Sequence, residues 1–73
     1  MKMYDLKTVV INHIAINYFY TREKNDINGN PRFRVFIMDP DANAVYVKIF
    51  KTYESLIPER VRAFMEESAE NEI

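Results

Sequence analysis

The sequence predicts a small α+β domain: a three-stranded antiparallel sheet followed by one C-terminal amphipathic helix that packs on one face (β-β-β-α). Residues 31–51 alternate between two side-chain parities on both sides of one turn, which is typical of a hairpin. After Thr52 the apolar residues recur at helical spacing instead. The three predicted strands lie near residues 12–22, 31–38 and 44–51, and the helix near 56–69.

The first predicted strand, near 12–22, is rich in β-branched and aromatic residues and contains no Gly or Pro. The segment before it is ambiguous, because Val9, Val10 and His13 also fit a helical spacing behind an Asp5 cap. We favour a strand, since consecutive β-branched residues lose side-chain freedom in a helix. Whether the N-terminal ten residues form a strand, a helix or neither stays open.

Two connections separate the predicted strands. The second is a turn in which Pro40 presets φ and Asp39 accepts hydrogen bonds from the backbone that follows. The first, residues 23–31, contains Asn28 and Gly29 and is longer than a tight hairpin turn. It is predicted to be an exposed, mobile loop.

The predicted helix has Pro58 in its first turn, where the missing N–H would be unpaired in any case. Its last turn is acidic, which the helix dipole disfavours, so residues 70–73 are predicted to fray. The centre of the core is predicted to consist of the following apolar residues of the hairpin and the helix: Val35, Ile37, Val47, Ile49, Val61 and Phe64.

Composition places the chain among folded, single-domain proteins. Its 73 residues form one predicted domain (1–73), 48% of them are hydrophobic, and five Tyr and five Phe are available for a core. A domain this small buries only about 60% of the surface of its unfolded chain, which favours association with another protein.

The chain contains no cysteine, which removes disulfides, thiolate metal sites and thiol nucleophiles. The N-terminus lacks the apolar stretch and cleavage site of a signal peptide, and no apolar run reaches the ~20 residues that span a bilayer. A cytoplasmic protein without a membrane partner is therefore expected.

Two acidic clusters resemble the start of a calcium-binding loop. The cluster that begins at Asp39 has Ala44 where such a loop needs Gly, and the cluster that begins at Asp26 has Pro31 there. Neither places Glu at the twelfth position. Turn formation explains both clusters, and no metal site is predicted.

Catalytic chemistry finds little support in the sequence. His13 is the one histidine, and neither Ser55 nor Ser68 carries a nucleophile signature. The single Gly29 cannot build a phosphate-binding loop. We expect a protein that is not an enzyme and has no cofactor.

Charge is distributed unevenly along the chain. Residues 1–52 hold eight basic and five acidic residues (net +3), whereas residues 53–73 hold two basic and six acidic residues (net −4). A uniformly basic nucleic-acid binder is not indicated, although a local basic patch remains compatible with this distribution.

The sheet is predicted to have one face against the helix and one face that nothing in this short chain can cover except the N-terminal segment, residues 1–10. The covered face is predicted to hold Phe33, Val35, Ile37, Val45, Val47 and Ile49, with Ile14, Ile16 and Tyr18. The uncovered face is the predicted partner-binding surface and holds Phe19, Arg32, Arg34, Phe36, Tyr46, Lys48 and Phe50, with Asn17 beside them.

Three interpretations of the uncovered face compete. Aromatic residues and Arg are enriched at the centres of protein interfaces, which favours a homodimer or a partner protein. Bases of single-stranded nucleic acid also stack on sheet aromatics while Arg and Lys hold phosphates. Alternatively the face is merely solvated, with Arg and Lys stems covering the rings.

In size, lack of catalytic groups and charge asymmetry, the chain is similar in kind to small accessory proteins of phages and mobile elements. Some of those proteins inhibit host defence enzymes. This likeness implies an inhibitor as an alternative function and assigns no residue to it.

Overall fold

The computed structural model describes residues 5–70, with side chains up to Glu67. The elements are β1 (Lys7–Ile11), β2 (Ile14–Glu23), β3 (Arg32–Asp39), β4 (Ala44–Lys51), a 3-10 turn (Glu54–Leu56) and α1 (Ile57–Glu70). The four strands form one antiparallel sheet in the order β1-β2-β3-β4. The predicted α+β class with a C-terminal helix is confirmed, but the prediction of three strands was wrong.

The strand predicted near 12–22 corresponds to β2, and the additional strand is β1, in the segment before it whose conformation the sequence left open. A two-residue turn at Asn12 and His13 joins β1 to β2. Both residues have positive φ, 51° and 69°, and Ile11 pairs directly with Ile14. Two successive positive φ angles define the type I′ turn, whose twist matches that of the strands it joins. Asn and His tolerate this conformation better than most residues, so the turn forms without glycine.

The connection between β2 and β3 is organised around the carboxylate of Asp26. Its Oδ1 accepts hydrogen bonds from the backbone N–H of Asn28 (2.9 Å) and of Asn30 (2.8 Å). Its Oδ2 accepts from the Asn30 side chain (3.1 Å) and lies 3.0 Å from Lys51 Nζ on β4. These donors hold the pKa of Asp26 well below its usual value, the hydrogen bonds from Asn30 having the largest effect.

The turn between β3 and β4 has the predicted chemistry. Asp39 Oδ1 accepts hydrogen bonds from the backbone N–H of Asp41 (3.0 Å) and of Ala42 (3.2 Å), while Asn43 completes the loop at a φ of 51°. The antiparallel hairpin predicted from this turn is confirmed.

The core lies between α1 and one face of the sheet. Its buried apolar side chains come from β1, β2, β3 and the helix: Val9, Ile11, Ile16, Tyr18, Phe33, Val35, Ile37, Ile57 and Val61. Val35, Ile37 and Val61 are fully buried, as predicted. Phe64, also predicted at the centre, is only half-buried and packs at the margin of this cluster.

The prediction that Val47 and Ile49 belong to the core was wrong. Their side chains are 53% and 47% exposed. In the pairing of β3 with β4, Val35 lies opposite Lys48, and directly opposed residues of an antiparallel pair place their side chains on the same face. The even-numbered residues of β4 therefore face the helix, and the odd-numbered residues face away from it.

Residues 71–73 of the predicted fraying end lie outside the described residues. Within 5–70, no helix combines the length and the apolar character required to cross a bilayer.

Candidate interaction surface

The described part of the chain has two layers, the sheet and α1, and its Cα atoms extend only 18 Å along the shortest axis. Because two packed layers account for this thickness, the face of the sheet away from α1 has no third layer among the described residues. We call this surface the open face. It carries Thr8, Val10, Ala15, Asn17, Phe19, Thr21, Glu23, Arg32, Arg34, Phe36, Met38, Val45, Val47, Ile49 and Lys51.

The most exposed apolar part of the open face is a row along β4. Val45, Val47 and Ile49 are 60%, 53% and 47% exposed, and Val10 on β1 is 58% exposed. Single exposed apolar side chains are common on proteins, whereas a contiguous row on one face of a sheet is typical of an interaction site.

Beside this row lies an aromatic pair. The rings of Phe19 and Phe36 are stacked, with 4.6 Å between their centroids and 10° between their planes. Phe36 lies directly opposite Val47, so the pair is continuous with the aliphatic row. Both phenylalanines are half-buried, and together with Met38 they form the centre of the open face.

The basic residues of the open face lie at one end of it and already have partners. Arg34 Nε lies 2.7 Å from Glu23 Oε1, and Lys51 Nζ lies 3.0 Å from Asp26 Oδ2. Arg32 Nε donates a hydrogen bond to the carbonyl oxygen of Lys24 (2.9 Å). The positive charge of this end is thus largely balanced by neighbouring groups of the same chain.

The structure places the predicted site residues on two opposite faces. Phe19, Arg32, Arg34 and Phe36 lie on the open face, as predicted. The remaining three, from β4, lie on the helix face: Tyr46, Lys48 and Phe50.

Phe64 of the helix contacts two of those β4 side chains. The Tyr46 and Phe64 rings pack edge to face with 5.8 Å between their centroids. Lys48 Nζ lies 5.6 Å from the centroid of the Phe64 ring. Tyr46 and Lys48 therefore contact the protein's own helix instead of forming part of the open face.

Sequence reasoning assigned Val45, Val47 and Ile49 to the core because an alternating aliphatic row is the commonest pattern of a buried strand face. The length of the β3–β4 loop sets the register, which the apolar pattern leaves undetermined. Asp39 pairs with Ala44 across residues 40–43, and a four-residue loop pairs odd-numbered positions of one strand with even-numbered positions of the next. Aliphatic residues at odd positions of both strands cannot then share a face.

A shallow cavity of about 400 Å³ lies on the helix side, near the β1–β2 and β3–β4 turns. Its lining combines apolar residues such as Ile11 and Met65 with the carboxylates of Asp39, Asp41 and Glu66. Both carboxylate oxygens of Asp39 already accept hydrogen bonds within the chain: Oδ1 from the turn backbone and Oδ2 from the Tyr46 hydroxyl (3.4 Å). The described residues include no cluster of three His, Cys, Asp or Glu side chains that could hold a metal ion.

No protein family, curated protein or solved structure matches this chain.

Proposed function

We propose that this chain is a non-enzymatic protein-interaction module that self-associates by packing its open face against the open face of a second copy. The exposed row of Val45, Val47 and Ile49 beside the Phe19–Phe36 pair is the observation that carries the proposal. Leaving such a surface in water forgoes about 25 cal/mol for each Å² of apolar area that a partner would cover. The absence of cysteine suits a reducing compartment such as the cytoplasm.

The size of the open face supports a dimer. Four strands spaced about 4.8 Å apart and averaging about eight residues in length present roughly 500 Å² in projection. The accessible area is larger because side chains corrugate the face. Two such faces reach the roughly 1,000 Å² that separates a specific interface from a chance contact.

The charge distribution favours an apolar protein surface over nucleic acid as the occupant. A strand-tracking nucleic-acid site needs unpaired cations that release counterions from phosphates. Here Arg34 and Lys51 are paired with Glu23 and Asp26. The Lys48 side chain lies on the opposite face, over Phe64.

A second copy fits this surface because its central part is apolar and uncharged, so a two-fold contact opposes no like charges there. Sheets that pack face to face lie about 10 Å apart with interdigitated side chains. The exposed aliphatic row of β4 and the flat Phe19–Phe36 pair are compatible with that arrangement.

The proposal is tested by replacing Val45, Val47 and Ile49 together with Thr. Threonine keeps the β-branched shape and the backbone N–H but removes apolar surface, so the monomer should stay folded while face-to-face association is lost. Ile27→Thr is the matched control, because Ile27 is fully exposed in the loop outside the sheet. Light scattering across a dilution series measures the mass of the assembly formed by the parent and by each variant.

Self-association through this face is contradicted if the triple variant keeps the parent's mass at every concentration. A parent that is monomeric throughout would contradict it as well, and would direct attention to a different protein as the occupant, including a host enzyme that the chain inhibits. A labelled single-stranded oligonucleotide that binds the parent with a steep salt dependence would support the nucleic-acid interpretation instead.

A further inference from the structure

β4 is an edge strand of the sheet. It pairs with β3 on one side, and no described segment pairs with its other side. The outer side of an edge strand presents a row of unpaired backbone N–H and C=O groups, to which another strand can add.

The residues of β4 that direct their backbone groups outward follow from the turn at the other end of the sheet. Ile11 and Ile14 close a two-residue type I′ hairpin, so they exchange both backbone hydrogen bonds. Backbone groups of successive residues in a strand point to alternate sides, and the register runs without a bulge from β2 to β4. The even-numbered residues of β4 therefore bond to β3, and Val45, Val47 and Ile49 direct their N–H and C=O groups to the free edge.

This edge carries Lys48 and Lys51 but lacks the other features that usually prevent strand addition. It is eight residues long and contains no proline, and its pairing with β3 shows no bulge. The opposite edge, β1, is five residues long and is the strand that α1 approaches most closely. Of the two edges, β4 is the better template for another strand.

We infer that β4 pairs with β4 of a second copy in an antiparallel two-fold contact centred on Val47, which joins two four-stranded sheets into one eight-stranded sheet. In this register Val47 lies opposite its own equivalent, and Val45 lies opposite the Ile49 of the other copy. Residues Ala44 to Phe50 of both strands are paired throughout.

Charge and length select this register from its neighbours. A shift that centres the contact on Lys48 places two ammonium groups directly opposite each other, which is destabilising. A shift that centres it on Tyr46 pairs only Ala44 to Lys48 and leaves the apolar Ile49 outside the contact. In the inferred register Lys48 lies opposite the other copy's Tyr46, whose ring offers a favourable surface for a cation.

The edge contact goes beyond the proposed function, because it uses the backbone of β4 instead of the side chains of the open face. Its two-fold axis is perpendicular to the sheet, so both open faces remain on the same side. Two eight-stranded sheets can then pack face to face, and four copies satisfy both contacts with closed symmetry. The expected mass is four times the 8.7 kDa of one chain.

Val47→Pro and Val10→Pro form a matched pair of variants. Both valines are exposed to a similar extent, both lie on the open face, and both direct their N–H to a sheet edge, one on β4 and one on β1. Proline at such a position removes no hydrogen bond within the chain and keeps an apolar side chain. Both substitutions alter the open face in the same way, so any loss of face-to-face packing is common to the two variants. The Val47→Pro assembly should have half the mass of the Val10→Pro assembly, since only Val47→Pro blocks the edge of β4.

Amide hydrogen exchange on the unmodified chain tests the same contact without a substitution. The N–H groups of Val45, Val47 and Ile49 should become protected as protein concentration rises. The N–H groups of Thr8 and Val10, on the free edge of β1, should exchange rapidly at all concentrations.

The outcomes separate the two proposals. A parent of two copies that becomes monomeric with Val47→Pro, stays dimeric with Val10→Pro and protects the edge amides of β4 supports the edge contact and contradicts face-to-face packing. A parent whose mass is the same with Val47→Pro, or whose edge amides of β4 exchange as fast as those of β1 at every concentration, overturns the edge contact. If Val47→Pro does not fold, the exchange result alone decides.

Discussion

Val47 lies directly opposite Phe36 in the pairing of β3 with β4, and both side chains belong to the open face. Val35, the neighbour of Phe36 on β3, points to the other face and is fully buried. The two valines are chemically identical, occupy adjacent strands and differ in the face they occupy. Comparing the loss of stability when each valine is truncated therefore tests which face of the sheet is the core.

We expect Val35→Ala to lower the free energy of unfolding by about 2–3 kcal/mol, from lost apolar burial and the cavity left behind. Val47→Ala should change it by less than about 0.5 kcal/mol, as for an ordinary surface substitution. Urea unfolding at low protein concentration measures both, because dilution removes the contribution of association. Equal losses for the two variants would show that the open face is covered within one chain.

The turn at Asn12 and His13 predicts that glycine at position 13 increases the stability of the protein. His13 adopts a φ of 69° and its side chain is exposed, so His13→Gly relieves a strained backbone without removing a packed group. We expect His13→Gly to raise the free energy of unfolding by about 0.5–1 kcal/mol, since Asn-Gly is the preferred type I′ pair. His13→Val should lower it by about 1 kcal/mol or more, because β-branched residues avoid positive φ. Thermal unfolding of both variants and the parent checks this order of stability. A His13→Val variant more stable than the parent would contradict the type I′ turn.

The depressed pKa of Asp26 predicts a dependence of stability on acid pH. A carboxyl group whose pKa is lower in the folded state than its ordinary value of 3.8 stabilises the fold above that value. This contribution is lost as the pH falls through the folded pKa. Asp26→Asn should therefore be less stable than the parent at neutral pH, and the difference should narrow as the pH falls below about 4.

A second variant separates the causes of that shift. Lys51→Met removes the cation but leaves the backbone and side-chain hydrogen bonds from Asn30, which lower the pKa of Asp26 most. It should retain most of the parent's dependence on acid pH, whereas Asp26→Asn should lose the part that Asp26 contributes. Urea titrations at neutral pH and near pH 3, at one protein concentration, measure both. If Lys51→Met removes as much of the dependence of stability on acid pH as Asp26→Asn does, the ion pair with Lys51 is the main cause of the lowered pKa of Asp26.

The elements with strong local chemistry could be predicted from the sequence. Asp39 and Pro40 specify their turn through a side-chain acceptor and a fixed φ, which are properties of adjacent residues. Ile57 and Val61 carry the helical period of α1, and both are buried where that period predicts. The turn at Asn12 and His13, and with it the separate strand β1, was not predicted because neither residue is glycine, the strongest signal for such a turn.

By itself the sequence determined the α+β class, the β3–β4 hairpin and the C-terminal helix, because each depends on residues close together in the chain. Only the tertiary structure decided which face of β4 is buried. Both faces of that strand carry large apolar residues, Val47 and Ile49 on one and Tyr46 and Phe50 on the other, so local pattern cannot choose between them. The register of β4 with β3 determines the buried face. It places Tyr46 opposite the buried Ile37, so Val47 and Ile49 point away from the helix.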